Sequence, residues 1–209
     1  MKNILSIFLI AGDEITKFAS TYPNKVNQVI CLDAAYDRSN FVNMFDPYMP
    51  STPTPTAEDL SSFENYRCFL KNIYGVSIPD EEIKSISVFS EEGIYLNEKT
   101  SYEIGGKIML GVERPNYGGI LCPALAIYAF QTTKSQVFPF YDSLDEKNRI
   151  KADTLFTIIS KYDRDQIKLF EKEVKKGSVK KITGANHYLY LSHPDETEAF
   201  IRDFLIEKV

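Results

Sequence analysis

Apolar and polar positions along the chain follow two different periods. Three short apolar runs carry many β-branched residues and are bounded by turn-forming residues, a pattern typical of buried parallel strands. They cover 4–10, 26–32 and 123–130, and the segment SVKKITG at 178–184 predicts a fourth strand. Helical spacing dominates between them, so the pattern predicts an α/β fold with a mostly parallel sheet and flanking helices.

The predicted helices are marked by their start and stop signals. The first follows the first strand at 13–21 and ends before Pro23, which cannot continue a helix. Further segments predicted to be helical, each with a cap or a breaker at one end, are 57–74, 79–93, a helix opened by a capping box of Ser143 and Glu146, 163–176, and a last helix that begins at Pro194.

A change in composition divides the chain into a core and an insertion. The stretch NMFDPYMPSTPTPTAEDL is rich in Pro, Thr and Ser, and residues 105–119 contain five glycines. Residues 38–119 are therefore predicted to form a helical cap or lid, inserted into an α/β core made of 1–37 and 120–209. The predicted cap is rich in aromatic residues, namely Phe41, Phe45, Tyr48, Phe63, Tyr66, Phe69 and Tyr74.

Charge and cysteine usage narrow the classes of partner. The net charge is −5 and the charges are mixed along the chain, which argues against nucleic acid or an anionic membrane as a partner. No apolar run approaches the roughly 20 residues that cross a membrane. Cys31, Cys68 and Cys122 show neither disulfide nor metal spacing, which favours a reducing, cytoplasmic compartment and no metal. The start, MKNILSIFLIAG, resembles a weak signal peptide, but we favour a strand there.

Two candidate catalytic residues follow predicted strands. The second strand ends at Asp33, and the fourth leads into GANH and so to His187. In parallel sheets functional side chains gather at the carboxyl ends of the strands. A carboxylate can hold an imidazole in one tautomer, and the imidazole can then accept a proton from a nucleophile. Each residue also has a structural interpretation, Asp33 as a turn cap and His187 as a loop residue; His193 is interpreted as a neighbour of the last helix cap.

Three stretches together resemble the C-terminal portion of the α/β-hydrolase superfamily, specifically serine hydrolases with a helical cap. AGDEITKFASTYPNKVNQVICLDAAYDRS resembles the helix after the nucleophile elbow and the next strand. CPALAIYA resembles the strand after that, and GANHYLYLSHPDETEAFIRDFL the histidine loop and closing helix. The resemblance implies hydrolysis of a small, apolar ester or related acyl substrate without a cofactor, with Asp33 and His187 in the catalytic apparatus.

The nucleophile elbow, G-x-S-x-G in the family, is the main departure. In the register set by AGDE it falls on residues 7–11, where only Ala11 fits and Leu9 occupies the nucleophile position. Leucine has no nucleophilic atom, and Ser6 lies three residues early. The family's strands before the elbow, with the loop that supplies an oxyanion-hole N–H, have no counterpart in this sequence. The chain is therefore predicted to be a truncated hydrolase, weakly active or inactive.

Three further points stay open at this stage. Many family members carry the triad acid after the strand equivalent to ALAIYA, which leaves Asp142 as an alternative, and Asp37 is a second one. The alternative function is a non-catalytic binding module that uses the aromatic cap. A first strand without lysine or proline inside its run also predicts association through that edge, as a homodimer or with another chain.

Overall fold

The computed structural model describes residues 3–7, by their backbone only, and 11–206. Its helices and strands are, in chain order, β1 (Asn3–Ile7), α1 (Ala11–Thr21), β2 (Val26–Leu32), α2 (Phe41–Phe45), α3 (Phe63–Tyr74), α4 (Asp80–Ile86), β3 (Ser87–Phe89), β4 (Tyr95–Glu98), α5 (Tyr102–Leu110), β5 (Ala124–Phe130), α6 (Lys134–Val137), α7 (Glu146–Glu173), β6 (Gly177–Thr183), α8 (Leu189–Ser192) and α9 (Pro194–Ile206).

The main sheet contains β1, β2, β5 and β6 in that spatial order, and each neighbouring pair is parallel. β5 is buried along almost its whole length, as expected of a central strand with both faces covered. Because the strands are parallel, their carboxyl ends meet at one edge of the sheet. The predicted α/β fold with a mostly parallel sheet is confirmed.

Helices cover both faces of this sheet. Val29 and Ala126 contribute to a core that also contains buried side chains of α1 and α7. Ile30 and Ile127, their neighbours in sequence, contribute to a second core that contains Phe204 of α9. Successive residues of a strand point to opposite faces, so the continuous apolar runs of β2 and β5 supply both cores at once.

The predicted insertion, residues 38–119, contains a small core of its own. Tyr66 and Leu70 of α3 pack there with Ile78 and Ile83. The beginning of the segment behaves differently, because Phe45 of α2 lies in the same core as α1 and α7. The insertion thus packs around its own apolar cluster while α2 forms part of the wall of the main domain.

The insertion is less helical than predicted. The helix predicted over 79–93 ends at Ile86, and an antiparallel pair of strands, β3 and β4, follows. Gly93 sits at φ 83° in the turn between them, where the Gly93 N–H donates to the Ser90 carbonyl. A glycine between aromatic and β-branched residues favours a hairpin, and the helical interpretation overlooked this signal.

Two helix boundaries also differ from the prediction. Thr56 and Asp59 exchange hydrogen bonds in an isolated turn, and the helix expected from residue 57 begins only at Phe63, after its N-cap Ser62. The helices predicted after Ser143 and over 163–176 are one helix, α7, capped by Asp145. Neither glycine nor proline interrupts residues 146–173, so nothing in the backbone chemistry stops the helix.

Candidate active site

Asp33 occupies the corner where β2 ends. Its backbone adopts φ 48°, a left-handed conformation that Asp tolerates better than most residues, and its N–H donates to the Ile127 carbonyl on β5. The side chain is buried, and its Oδ1 accepts hydrogen bonds from the Tyr36 hydroxyl at 2.5 Å and the Ala129 N–H at 2.9 Å. Two donors on one oxygen fix the carboxylate and direct Oδ2 toward the next residue of the site.

His187 contacts Oδ2, the second carboxylate oxygen of Asp33. Its Nδ1 lies 2.7 Å from Asp33 Oδ2, although the two residues are 154 positions apart in the chain. An ionised carboxylate only accepts hydrogen bonds, so this contact assigns the ring proton to Nδ1 and makes Nε2 the acceptor nitrogen. The His187 side chain is 27% exposed, which gives a ligand access to the imidazole.

The loop that carries His187 is held at several points. The Gly184 N–H donates to the Phe130 carbonyl at the end of β5, and Gly184 itself adopts φ 81°. Asn186 then donates through Nδ2 to the Tyr74 carbonyl at 2.6 Å, and its Oδ1 accepts from the Tyr188 N–H. The loop is therefore tied to the main sheet on one side and to α3 of the insertion on the other.

The structure brings Asp33 and His187 together at the predicted edge of the sheet, and their catalytic role remains a prediction. The alternative acids lie in other surroundings. Asp37 Oδ1 accepts from the Ser39 N–H and hydroxyl, while Asp142 is exposed in a short 3₁₀ turn. His193 lies at the start of α9, where its carbonyl accepts from the Thr197 N–H. Leu9, the predicted occupant of the nucleophile position, lies outside the described residues.

A pocket of about 360 Å³ opens beside the Asp33–His187 pair. The rings of Tyr36, Phe41, Phe45 and Tyr162 line it, so two of the aromatic residues expected in the cap belong to this wall. None of the described lining residues is a serine, threonine or cysteine. A larger cleft of about 590 Å³ lies between α1 and the segment at the end of α5, but its described lining contains neither Asp33 nor His187.

Tyrosine hydroxyls form a buried shell behind the pocket. Tyr36 stacks on Tyr162 with ring centroids 5.8 Å apart and meets Tyr128 edge to face at 5.4 Å. The Tyr128 hydroxyl donates to the Ala35 carbonyl, and the Tyr162 hydroxyl donates to the Asp37 carbonyl. Burial above all, and then the nearby Asp33 carboxylate, raises the pKa of Tyr36, so its hydroxyl remains a donor to Asp33.

Arg38 and Asp163 are pocket residues that sequence reasoning did not identify. Arg38 Nη1 lies 3.1 Å from Asp13 Oδ2 and donates to the Ala34 carbonyl, with its side chain only 5% exposed. Asp163 lies on α7 with 9% of its surface exposed. Burial, reinforced by the Asp33 carboxylate, raises the pKa of Asp163 to about 7. In the sequence KYDRD this residue has the pattern of a solvated helix face, and only the tertiary fold buries it.

The described part of the chain shows neither a metal-ligand cluster nor a membrane-spanning helix. No cluster of three or more His, Cys, Asp or Glu side chains there could hold a metal ion. None of the helices in that part is both long and apolar enough to cross a membrane. Cys31 and Cys122 are buried free thiols and Cys68 is an exposed one.

No family model and no curated protein matches the chain, whereas solved structures do. A probable hydrolytic enzyme from Pseudomonas aeruginosa PAO1 is similar over 98% of this chain and 63% of its own, with 12% identity and a TM-score of 0.55. E-2-(acetamidomethylene)succinate hydrolase is similar over 98% and 66%, with 14% identity and a TM-score of 0.55. An α/β-hydrolase fold protein from Nakamurella multipartita is similar over 99% and 69%, with 10% identity and a TM-score of 0.53.

These similarities concern the fold, because the sequence identities are low. The chain spans less than two thirds of the length of the first two of these proteins, 63% and 66%. The similarity extends over almost the whole of this chain. The chain therefore has an α/β-hydrolase fold, in partial form.

Proposed function

We propose that this chain carries the acid–base half of a carboxylic ester or acyl hydrolase, and that it is weakly active or inactive as it stands. The observation that carries the proposal is the 2.7 Å contact between His187 Nδ1 and Asp33 Oδ2 beside an aromatic pocket. Solved proteins of similar fold include ones named as hydrolases, which is an analogy at the level of the fold.

Each residue has a defined part in this chemistry. Asp33 orients the imidazole and stabilises the imidazolium that forms when Nε2 accepts a proton. In a complete hydrolase that proton comes from the nucleophile. Here Leu9 at the predicted nucleophile position supplies none, and losing a nucleophile costs on the order of 10⁶ in turnover.

A slow route through water remains available to such a pair. A water oxygen adds to the acyl carbon while His187 takes one of its protons, and the tetrahedral intermediate then expels the alcohol, which receives that proton. General-base assistance of this kind contributes roughly 10²–10⁴ in rate, so it does not replace a nucleophile.

The second candidate is a non-catalytic binding module. The apolar rings of Phe41, Phe45 and Tyr162 favour it, because they offer a ligand-sized surface whether or not turnover occurs. Ligand binding without hydrolysis, unaffected by His187→Ala, is the result that this candidate predicts.

Hydrolysis of short p-nitrophenyl esters tests the first candidate. We expect the unmodified chain to match the background of His187→Ala, and Leu9→Ser alone to restore little, since Ile7 still occupies a glycine position of the elbow. Substantial turnover that depends on His187 in the unmodified chain would show that another nucleophile exists and that the elbow register is wrong.

A fluorophosphonate probe tests the placement of the pair directly. We expect no labelling of the unmodified chain, and labelling of the double variant Ile7→Gly and Leu9→Ser that disappears when His187→Ala is added. If the double variant folds, by its circular dichroism, and still resists the probe, then Asp33 and His187 do not serve residue 9 and the proposal fails.

A further inference from the structure

The pocket beside His187 has an excess of acidic groups. Asp33 and Asp163 both line it, and Arg38 is the basic residue among its described lining. The Arg38 guanidinium is already paired with Asp13 at 3.1 Å and lies 5.2 Å from the centroid of the Tyr36 ring. Because Asp13 already offsets the charge of Arg38, Arg38 does not neutralise Asp163. The described lining of the pocket therefore carries more negative than positive charge when Asp163 is ionised.

The carboxyl group of Asp163 is buried without a partner among the described residues. More than nine tenths of its surface is buried, and among the described residues no hydrogen bond or ion pair reaches its carboxyl group. Buried carboxyl groups are ordinarily hydrogen-bonded or paired, because burying an unpaired charge is strongly unfavourable. Asp163 instead lines a cavity whose wall is largely aromatic.

We propose that Asp163 makes this pocket selective for ligands that carry an organic ammonium cation with apolar substituents. The cation would contact the aromatic wall, whose rings attract positive charge through their quadrupoles, and would pair with the Asp163 carboxylate. A small alkylammonium group suits a volume of about 360 Å³ with few exposed polar atoms. The inference deepens the proposed function by naming a substrate class, and it concerns binding, so it does not require turnover.

Ionisation of Asp163 gives the proposal a pH dependence. Burial and the Asp33 carboxylate raise the pKa of Asp163 to about 7, so the ionised form that pairs with a cation is a minority at pH 6 and the majority at pH 8. The other charged and titratable groups around it are Asp33, Tyr36, Arg38, Tyr162 and His187 in the pocket wall, and Arg164 next to it on α7. Burial raises the pKa of both tyrosines, so they remain neutral in this range.

Three probes of matched shape test whether the charge of a ligand or its shape determines binding in the pocket. Choline carries a trimethylammonium group, 3,3-dimethylbutan-1-ol carries a neutral tert-butyl group in its place, and 3,3-dimethylbutanoate is an anion with the same tert-butyl group. Each gives a sharp methyl signal, so ligand-observed NMR titration measures all three alike. At pH 8 we expect choline to bind about tenfold more tightly than the alcohol. Its affinity should fall about tenfold by pH 6, because only about a tenth of Asp163 is then ionised.

Two aspartates of α7 provide the variant and its control. At pH 8, Asp163→Asn should bring the affinities of choline and the alcohol within about twofold, and it should remove the part of the pH dependence that Asp163 supplies. Asp165→Asn, which changes an exposed aspartate paired with Lys161 at 2.7 Å, should behave as the wild type. His187 is present in both proteins, so any change in its charge affects them equally.

The comparison of probes decides the proposal even without variants. If the alcohol binds the unmodified chain as tightly as choline at pH 8, the pocket is merely apolar and the proposal is overturned. Tighter binding of the butanoate would also overturn it and would assign Arg38 as an anion anchor. These results do not depend on ester hydrolysis, so failure here leaves the acid–base proposal standing, and inactivity toward esters leaves this one standing.

Discussion

At the residue scale, Asp33 and Asp163 differ in the hydrogen bonds that their carboxyl groups accept from the described residues. The Asp33 carboxylate accepts from Tyr36, Ala129 and His187, so each oxygen has at least one partner. Such a network favours a single orientation of the imidazole. Asp163 lies in the same pocket, and among the described residues none donates a hydrogen bond to its carboxyl group. The carboxylate of Asp33 is held as a hydrogen-bond acceptor, whereas burial raises the pKa of Asp163 to about 7.

Asp163 should make the stability of the fold fall as pH rises. Its pKa is about 7 in the folded chain, above the ordinary value for an aspartate, so the folded state keeps a proton that the unfolded state releases. This contribution is fully present below about pH 4 and is lost as pH rises through about 7. Asp163→Asn should therefore stabilise the fold at pH 8 by on the order of 1–3 kcal/mol and change it little at pH 4.

Thermal or urea unfolding followed by circular dichroism measures this difference. The control Asp165→Asn should change the free energy of unfolding by less than about 0.5 kcal/mol at either pH, because its ion pair with Lys161 is exposed. A uniform loss of stability in Asp163→Asn at both pH values would mean that the carboxyl group has a structural partner and is not destabilised by burial.

At the element scale, the close approach of α1 to the end of β2 shapes the corner of the site. Gly12 lies in the first turn of α1, and a Cβ added there would come within 2.2 Å of the Ala34 carbonyl oxygen. Asp13 and Glu14 follow in the same turn, where acidic side chains suit the positive end of the helix dipole. The helix thus packs onto the residues directly after Asp33, and Asp13 reaches Arg38 from this position.

Gly12→Ala should destabilise the chain because the new methyl group meets backbone that cannot move aside easily. We expect a loss of about 1–3 kcal/mol in the free energy of unfolding, with weaker binding in the pocket as the corner shifts. Gly106→Ala is the matched control, since nothing lies within 4 Å of a Cβ added at that glycine of α5. It should be neutral or stabilise the chain by roughly 0.4–1 kcal/mol through the unfolded state. Equal effects of the two changes would refute the close packing of α1.

At the scale of the whole molecule, strand β1 forms one end of the described main sheet. β1 pairs with β2 and lies at the end of the main sheet in the part of the chain that is described. The solved proteins of similar fold are longer, since this chain spans 63–69% of their lengths. An end strand with an apolar sequence and unpaired N–H and C=O groups is a template for another strand.

Association through this strand is therefore expected. At micromolar concentration, size-exclusion chromatography with light scattering should show dimers or larger species, because pairing at β1 satisfies its open hydrogen-bonding groups. Ile4→Lys and Leu5→Lys introduce charge into the strand and should shift the distribution toward monomer, whereas a lysine at exposed Leu110 should not. A stable, cooperatively melting monomer of 23.9 kDa in the unmodified chain would contradict the prediction.

The sequence alone determined the parallel sheet and indicated that His187 and a candidate acid, Asp33, follow strands that end at one edge. The apolar runs of β2 and β5 require burial on both faces, and Asp33 and the loop of His187 follow strands whose ends must converge. The hairpin of β3 and β4 and the continuity of α7 were not predictable from the sequence, because local signals at 79–93 and near Ser143 fit more than one structure.

Only the tertiary structure decided which acid pairs with His187 and what surrounds the pair. Asp33, Asp37 and Asp142 look alike in sequence, and the left-handed turn at Asp33 together with the fixed loop at Asn186 selects the first of them. The pocket assembles Tyr36, Arg38 and Asp163 from distant segments. Burial of Asp163 depends on how α7 packs on the sheet, and periodicity within a helix does not report which polar residue a neighbouring segment will cover.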